Sequence, residues 1–291
     1  MPTDHLSTRA VHSIPKFLLN YALESLISFH HGDMERYNLK PKHRFLESNP
    51  VIGTSILQHI DTGRVIVKNN VKRFSENAVE FEDGSMEEID VVIQATGFVI
   101  SNPFIDDEIM GKENSNRVRL YKHVFPTKHS NLAFIGLVKP NGSLLPVAEL
   151  QARWASRVFS GKAHLPSLGE MRDQADIDWQ HHQKQYIDRP RTAIAVDQVE
   201  YMDLIADQIG VRPDLWRVFQ QPSKWGLGLR LAFGPCISAQ YRLYGPGKWD
   251  RAEDVIAIAC AGVDIKKRLN EYLAHQSTEN DHVAVEDRAA N

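Results

Sequence analysis

The sequence predicts an α/β protein with a helical carboxyl-terminal region, and three observations carry that expectation. Two apolar runs, residues 90–97 and 131–137, stop at or beside a glycine, as buried strands do when their carboxyl ends form a ligand-lined rim. Between Arg64 and Phe81 the apolar residues alternate with polar ones, the period of a small antiparallel meander. From Pro146 onward the apolar spacing becomes three to four, which is helical.

Composition limits the function classes. The 291 residues are 42% hydrophobic and 24% charged, enough for one large or two ordinary domains with a real core. A net charge of -3 and a pI near 6.5 give no electrostatic footprint for nucleic acid. Cys236 and Cys260 are the two cysteines and form no CxxC, so neither a disulfide framework nor a thiolate metal site is indicated. The expected compartment is therefore reducing, and the expected location cytoplasmic.

Taken in order, residues 1–10 are polar and lack the apolar core of a signal peptide. Within them, Leu6-Ser7-Thr8-Arg9 could close a short strand and puts two hydroxyls and a guanidinium in a row; the trio suits a phosphate, but by itself it favours a solvated N-terminal segment. Residues 14–29 read as an amphipathic helix whose Phe17, Tyr21, Leu23, Leu26 and Ile27 pack on the core, a partner or a membrane surface. His30 and His31 are placed in the irregular stretch that follows, with no acid at metal-ligand spacing.

Val65, Val67, Val71, Phe74, Val79 and Phe81 form the meander, with Asp83-Gly84 as a hairpin turn leading into the strand at Asp90. In that strand, Gly97 tolerates a positive φ and a close ligand. A strand pair member is expected over residues 118–124, and a second buried strand over 131–137. Pro146 stands at the start of a helix with Val147, Leu150, Trp154 and Val158 on one face, stopped by Gly161. Ser167 with Glu170 reads as a capping box for a helix running to Tyr186. Further helices are expected around residues 202–209, from Pro222 to about Leu231, and over 253–273, before a charged, disordered tail at 276–291.

Several of these segments together resemble a known family. Leu6-Ser7-Thr8-Arg9, Leu39-Lys40-Pro41-Lys42-His43, the run from Asp90 to Phe98 with Ala95-Thr96-Gly97, Gly136-Leu137, Pro146-Val147-Ala148-Glu149-Leu150-Gln151-Ala152-Arg153-Trp154, Gly234-Pro235-Cys236 and Gly245-Pro246-Gly247-Lys248-Trp249 occur in fixed order. In order and spacing they resemble the carboxyl-terminal half of flavin-containing monooxygenases. The resemblance implies a partial Rossmann-like, two-dinucleotide-binding flavoprotein with a β-meander crossover. Its expected divisions are a remnant of the NADPH-binding domain at 1–89, the end of the FAD-binding domain at 90–166, and a helical region at 167–275.

The implied activity is a monooxygenase that uses FAD, NADPH and O2 to oxygenate soft nitrogen or sulfur nucleophiles, as in xenobiotic metabolism. The cofactor carries the hard chemistry, so no catalytic acid/base pair and no metal are implied. Carried over by position, Thr8 and Arg9 face the adenosine 2'-phosphate of NADPH. Thr96 and Gly97 lie at the junction of the two cofactors, and Asn141, Gly142 and Gln151 border the flavin. The endoplasmic reticulum membrane surface is the alternative location that the resemblance adds.

The sequence also departs from the family. Both Gly-rich dinucleotide turns and the signature between them are missing, Gly226-Leu227-Gly228 sits in a Leu-rich helical context, and Ala10 stands where a second Arg is frequent. Because pyrophosphate binding in this fold uses the helix N-terminus after the first strand, the chain is expected to be a fragment, a truncated isoform or an incomplete gene model that binds FAD poorly alone. The alternative is a noncatalytic partner of a full-length relative or of a second copy. A pyridine-nucleotide disulfide reductase is disfavoured by the missing CxxC.

Overall fold

The computed structural model describes residues 7–48, 53, 55–97, 100–112, 117–189 and 192–261. Their elements run in the order α1 (Arg9–His12), α2 (Lys16–His31), α3 (Ser55–Asp61), β1 (Val71–Phe74), β2 (Ala78–Phe81), β3 (Met86–Glu88) and α4 (Asp107–Met110). There follow β4 (Leu120–Tyr121), β5 (Phe125–Pro126), β6 (Lys139–Pro140), α5 (Leu144–Phe159), α6 (Leu168–Gln185) and β7 (Ala195–Val196). The described chain ends with α7 (Gln198–Asp207), α8 (Leu215–Phe219), α9 (Trp225–Phe233) and α10 (Ala252–Cys260). The mixture of helix and strand is the expected α/β class.

Two compact units result, each discontinuous in sequence. One contains residues 1–14, 140–165 and 196–291, the other 15–139 and 166–195. These units cut across the sequential blocks 1–89, 90–166 and 167–275.

The first unit is helical. Its core gathers Val218, Leu227, Leu231, Ala239, Leu243, Ala252 and Ile256, contributed by α8, α9, α10 and the 3-10 turn Ser238–Arg242. Within it α5 buries Val147, Leu150 and Trp154 of the expected face, together with Gln151 and Ala155, while Val158 is half-buried. Gly161, at φ 69°, follows the end of that helix.

In the second unit β1, β2 and β3 form an antiparallel meander in which Val79 faces Glu87 and Phe74 faces Val79. Its second hairpin turns at Asp83-Gly84, where Gly84 has φ 83° and its N–H donates to the Phe81 carbonyl at 3.0 Å. The α6 capping box is present: the Ser167 N–H donates to Glu170 Oε2 at 2.8 Å, and the Glu170 N–H to Ser167 Oγ at 3.3 Å. A separate cluster of Met110, Val118 and Leu120 collects Ile100, Ile105, Phe134, Leu137 and Ile194 around it.

Five expectations are corrected. Residues 90–97 form no strand: Val91 is 76% and Ile93 86% exposed, and no described strand pairs with them. A buried strand needs hydrogen-bonded neighbours and covered faces, and an apolar run by itself supplies neither. Residues 131–137 also form no strand, although the Phe134 N–H reaches the Val124 carbonyl at 2.8 Å and Phe134 and Leu137 pack on the core. His30 and His31 are the last two residues of α2 rather than loop, because nothing breaks the helix before Gly32 at φ 74°.

The strand expected over 118–124 shrinks to the pairs Leu120–Pro126 and Tyr121–Phe125, joined through Lys122 and His123 in left-handed conformation. Helices α1, α3, α4 and α8 are additions that the apolar pattern does not signal, and Arg9 opens α1, capped by Thr8, instead of closing a strand. The last expected helix is seen as α10, while its continuation to 273, the tail at 276–291, Leu6 and Phe98 lie outside the described residues. No helix among the described residues is long and apolar enough to cross a membrane.

Candidate functional site

In the first unit, the sequence-predicted residues meet one element, α7. Its N-cap Asp197 accepts from the Val199 and Glu200 amides through Oδ1, both at 3.1 Å. The other oxygen, Oδ2, lies 2.7 Å from His12 Nε2. His12 Nδ1 in turn lies 2.9 Å from the Thr8 carbonyl, and Thr8 Oγ1 accepts from the Val11 N–H at 3.2 Å, capping α1. Burial depresses the His12 pKa, but the Asp197 carboxylate and the Thr8 carbonyl outweigh it and the net shift is upward.

One turn further along α7, Tyr201 Oη accepts from Gln151 Nε2 at 2.7 Å. Both side chains are buried, and burial pushes the Tyr201 phenol upward. Asp203 then meets Arg9: Nε donates to Oδ2 at 3.1 Å and Nη2 to Oδ1 at 2.8 Å. Arg9 Nη2 also donates to Tyr241 Oη at 2.9 Å, and Nη1 to the Leu231 carbonyl at 3.3 Å and to Gln240 Oε1. The Tyr241 hydroxyl donates to Asp203 Oδ1 at 2.6 Å, and Cys236 Sγ stands 3.2 Å from that hydroxyl. Burial drives the Tyr241 phenol and the Cys236 thiol up, so both stay protonated, and the Asp203 carboxylate is paired with Arg9 and, from the more exposed side, with Arg212 Nε at 3.4 Å.

The loop before α5 also reaches α7. The Asn141 N–H donates to the Val196 carbonyl at 3.1 Å, and the Ser143 N–H to Gln198 Oε1 at 3.1 Å. Asn141 Oδ1 is buried without a hydrogen-bond partner among the described residues. An orphaned buried acceptor costs about 1–3 kcal/mol and is therefore a position where a ligand donor fits.

Thr8, Arg9, Asn141, Gly142 and Gln151 thus belong to one unit, in segments that gather around α7. Thr96 and Gly97 belong to the other unit, where Gly97 has the anticipated positive φ of 85° with nothing within 4 Å of an added Cβ. The structure engages Arg9 with Asp203, Tyr241, Gln240 and Leu231, whereas the sequence places its guanidinium at a phosphate. An open cavity of about 580 Å³ in the first unit, lined by Pro146, Ile237, Ser238, Ala239, Arg242, Trp249 and Val255, includes none of the predicted residues.

Sequence reasoning missed Asp197, Gln198, Tyr201 and Asp203. The available signal was Asp197 as an N-cap with Gln198 to Asp203 behind it, where polar residues interrupt an otherwise apolar helix.

Comparison with known proteins gives the same family as the motifs. A model of the flavin-binding monooxygenase-like family matches residues 4–284. Flavin-containing monooxygenase 5 of Mus musculus is 46% identical over 228 residues, which cover 77% of this chain and 42% of that protein. Flavin-containing monooxygenase 5 of Homo sapiens is 42% identical over 264 residues, covering 88% and 48%. Dimethylaniline monooxygenase (N-oxide-forming) 2 of Macaca mulatta is 38% identical over 254 residues, covering 84% and 45%.

The chain spans about half the length of the curated relatives it matches. Among solved structures, S-allyl-L-cysteine S-oxygenase from Allium sativum aligns at 29% identity with a TM-score of 0.39, over 48% of this chain and 33% of that one. With a family match that runs almost end to end, the chain belongs to the flavin-binding monooxygenase-like family.

Proposed function

We propose that this chain supplies part of the cofactor site of an NADPH- and FAD-dependent monooxygenase that oxygenates soft nitrogen or sulfur nucleophiles. The observation that carries the reading is the loop at Asn141 and Gly142, with its partnerless buried carboxamide oxygen, on the same helix-anchored frame as Gln151 in a chain of this family. FAD and NADPH, when bound, supply the redox chemistry that moves one oxygen atom from O2 to the substrate.

The protein's share is binding and orientation. Asn141 offers an acceptor, Gly142 is proposed beside the ring with the Gln198 carboxamide packed on its Cβ side, and Gln151 presents a carboxamide whose rotamer Tyr201 restrains. Thr96 and the positive-φ Gly97 are proposed at the junction of the two cofactors. Thr8 and Arg9 are proposed at the NADPH 2'-phosphate, where the phosphate must compete with Asp203 for the Arg9 guanidinium. The redox cofactors carry the chemistry, so no general acid or base is required of these side chains.

A second reading is a noncatalytic chain that pairs with a full-length relative. The exposed apolar residues Val91, Val92 and Ile93 favour it, since they leave apolar surface that a partner can cover. The visible absorption spectrum of the purified chain after dialysis against FAD separates the two. A flavin band near one per chain, followed by NADPH oxidation, supports the first; a colourless chain that co-purifies with a full-length relative supports the second.

A further inference from the structure

The loop of residues 141–143 is fastened at both ends, through the Asn141 N–H to Val196 at the end of β7 and the Ser143 N–H to Gln198 at the start of α7. Between those points Gly142 is required by space rather than by backbone conformation. A Cβ built there would lie 1.6 Å from Gln198 Oε1 and 2.7 Å from its Cδ. The Gln198 side chain therefore lies directly over the glycine, and a side chain at 142 would have to push it aside.

Gln198 is itself fixed. It is buried in the first turn of α7, and its Nε2 points to Met202 Sδ, 3.8 Å away and one turn along the helix. That orientation turns the carboxamide oxygen, the acceptor of the side chain, toward Ser143. Ser143 is the N-cap of α5 and makes no side-chain cap bond of its own. The entry of the chain into α5 thus relies on the backbone bonds of this loop, and Gln198 provides one of them.

We propose that Gln198 is the positioning residue of the 141–143 loop: by accepting from the Ser143 N–H and packing on Gly142, it fixes the direction in which the Asn141 carboxamide is presented. The inference rests on the flavin reading for its functional consequence, since Asn141 is the acceptor offered to the ring. It does not rest on that reading for its structural content. Gln198 touches no cofactor in this scheme and acts only through the loop.

Backbone hydrogen exchange on the full chain tests it, with Gln198→Met, which keeps the volume but loses the acceptor, and Gln198→Glu, which keeps an acceptor. Exchange of the Asn141 and Ser143 amides should accelerate at least ~10-fold in Gln198→Met and return toward the parent rate in Gln198→Glu. The Ile205 and Ala206 amides within α7 should hold their rates in both variants. Gly142→Ala should accelerate the same loop amides by displacing Gln198 from the other side.

Unchanged Ser143 exchange in Gln198→Met, or an equal acceleration throughout α7, overturns the proposal. FAD titration followed by visible absorbance is the second arm, with affinity expected to fall ~10-fold in Gln198→Met and to recover in Gln198→Glu. A parent chain that takes up no FAD overturns the flavin reading, and the exchange rates then decide on Gln198 alone. Loop exchange that changes while FAD affinity does not would overturn the link between the loop and the flavin.

Discussion

Arg9 and Asp203 form a two-point ion pair, Nε to Oδ2 at 3.1 Å and Nη2 to Oδ1 at 2.8 Å, with 9% and 10% of their side chains exposed. It joins the amino-terminal segment to α7 across 194 positions of sequence. Removing one member of such a pair leaves the other buried and charged, at a cost of about 3–5 kcal/mol. Asp203→Ala should therefore lower the free energy of unfolding in urea by that order, and Asp203→Asn, which keeps an acceptor, by less. Equal and small losses in both would mean that the guanidinium is satisfied without Asp203.

The same pair bears on nucleotide selectivity. A 2'-phosphate that engages Arg9 does so at the expense of Asp203, and only NADPH carries that phosphate. Arg9→Ala should then raise the concentration of NADPH needed for half-saturation much more than that of NADH, measured in flavin-loaded protein. If both nucleotides weaken equally, Arg9 serves the fold and not the phosphate.

How far the sequence reveals this molecule depends on which forces are local. The helix of Val147, Leu150 and Trp154, the Ser167–Glu170 cap and the Asp83-Gly84 turn were legible because periodicity, capping and turn chemistry are fixed within a few residues. The run at 90–97 was misread because burial of a strand depends on neighbours that its own residues do not encode. For the candidate site, the sequence picked out Arg9, Asn141 and Gln151 through a family resemblance. It could not show that Asp203 meets Arg9, that Gln198 meets the Ser143 amide two positions past Asn141, or that Tyr201 meets Gln151, since those contacts span 194, 55 and 50 positions.

Acid should weaken the second unit through His123. Its burial, reinforced by neighbouring His182, lowers the folded pKa to about 4 from the ordinary 6.5, and burial lowers His182 as well. A folded-state pKa below the unfolded one means that the unfolded chain takes up protons first. The stabilisation is present above pH 6.5 and is lost as pH falls toward 4, on the order of 3 kcal/mol for His123. His12 has the opposite sign: its raised pKa contributes below pH 6.5 and fades as pH rises through the folded value. His123→Gln should flatten the urea-unfolding profile between pH 6.5 and 4, and an unaltered slope would reject His123 as its source.

The bond from Gln151 Nε2 to Tyr201 Oη gives a test that separates folding from cofactor binding. A buried bond of this kind contributes about 0.5–1.5 kcal/mol net, and stranding one of its partners costs about 1–3 kcal/mol. Gln151→Leu removes the donor and leaves the Tyr201 hydroxyl without it, whereas Tyr201→Phe removes the hydroxyl and leaves the carboxamide. Each single variant should lose about 1–3 kcal/mol by urea denaturation, and the double variant less than the sum of the two, because the second change removes a group already deprived of this bond. Strict additivity would show that the contact carries no coupling.

The flavin reading adds a second measurement on the same variants. Tyr201→Phe keeps the Gln151 carboxamide but frees its rotamer, so flavin affinity should fall less than in Gln151→Leu, where the group bordering the ring is gone. If the two variants weaken FAD binding in proportion to their loss of stability, Gln151 belongs to the core of the helical unit. If Gln151→Leu loses FAD beyond what its stability predicts, the carboxamide faces the cofactor as well as Tyr201.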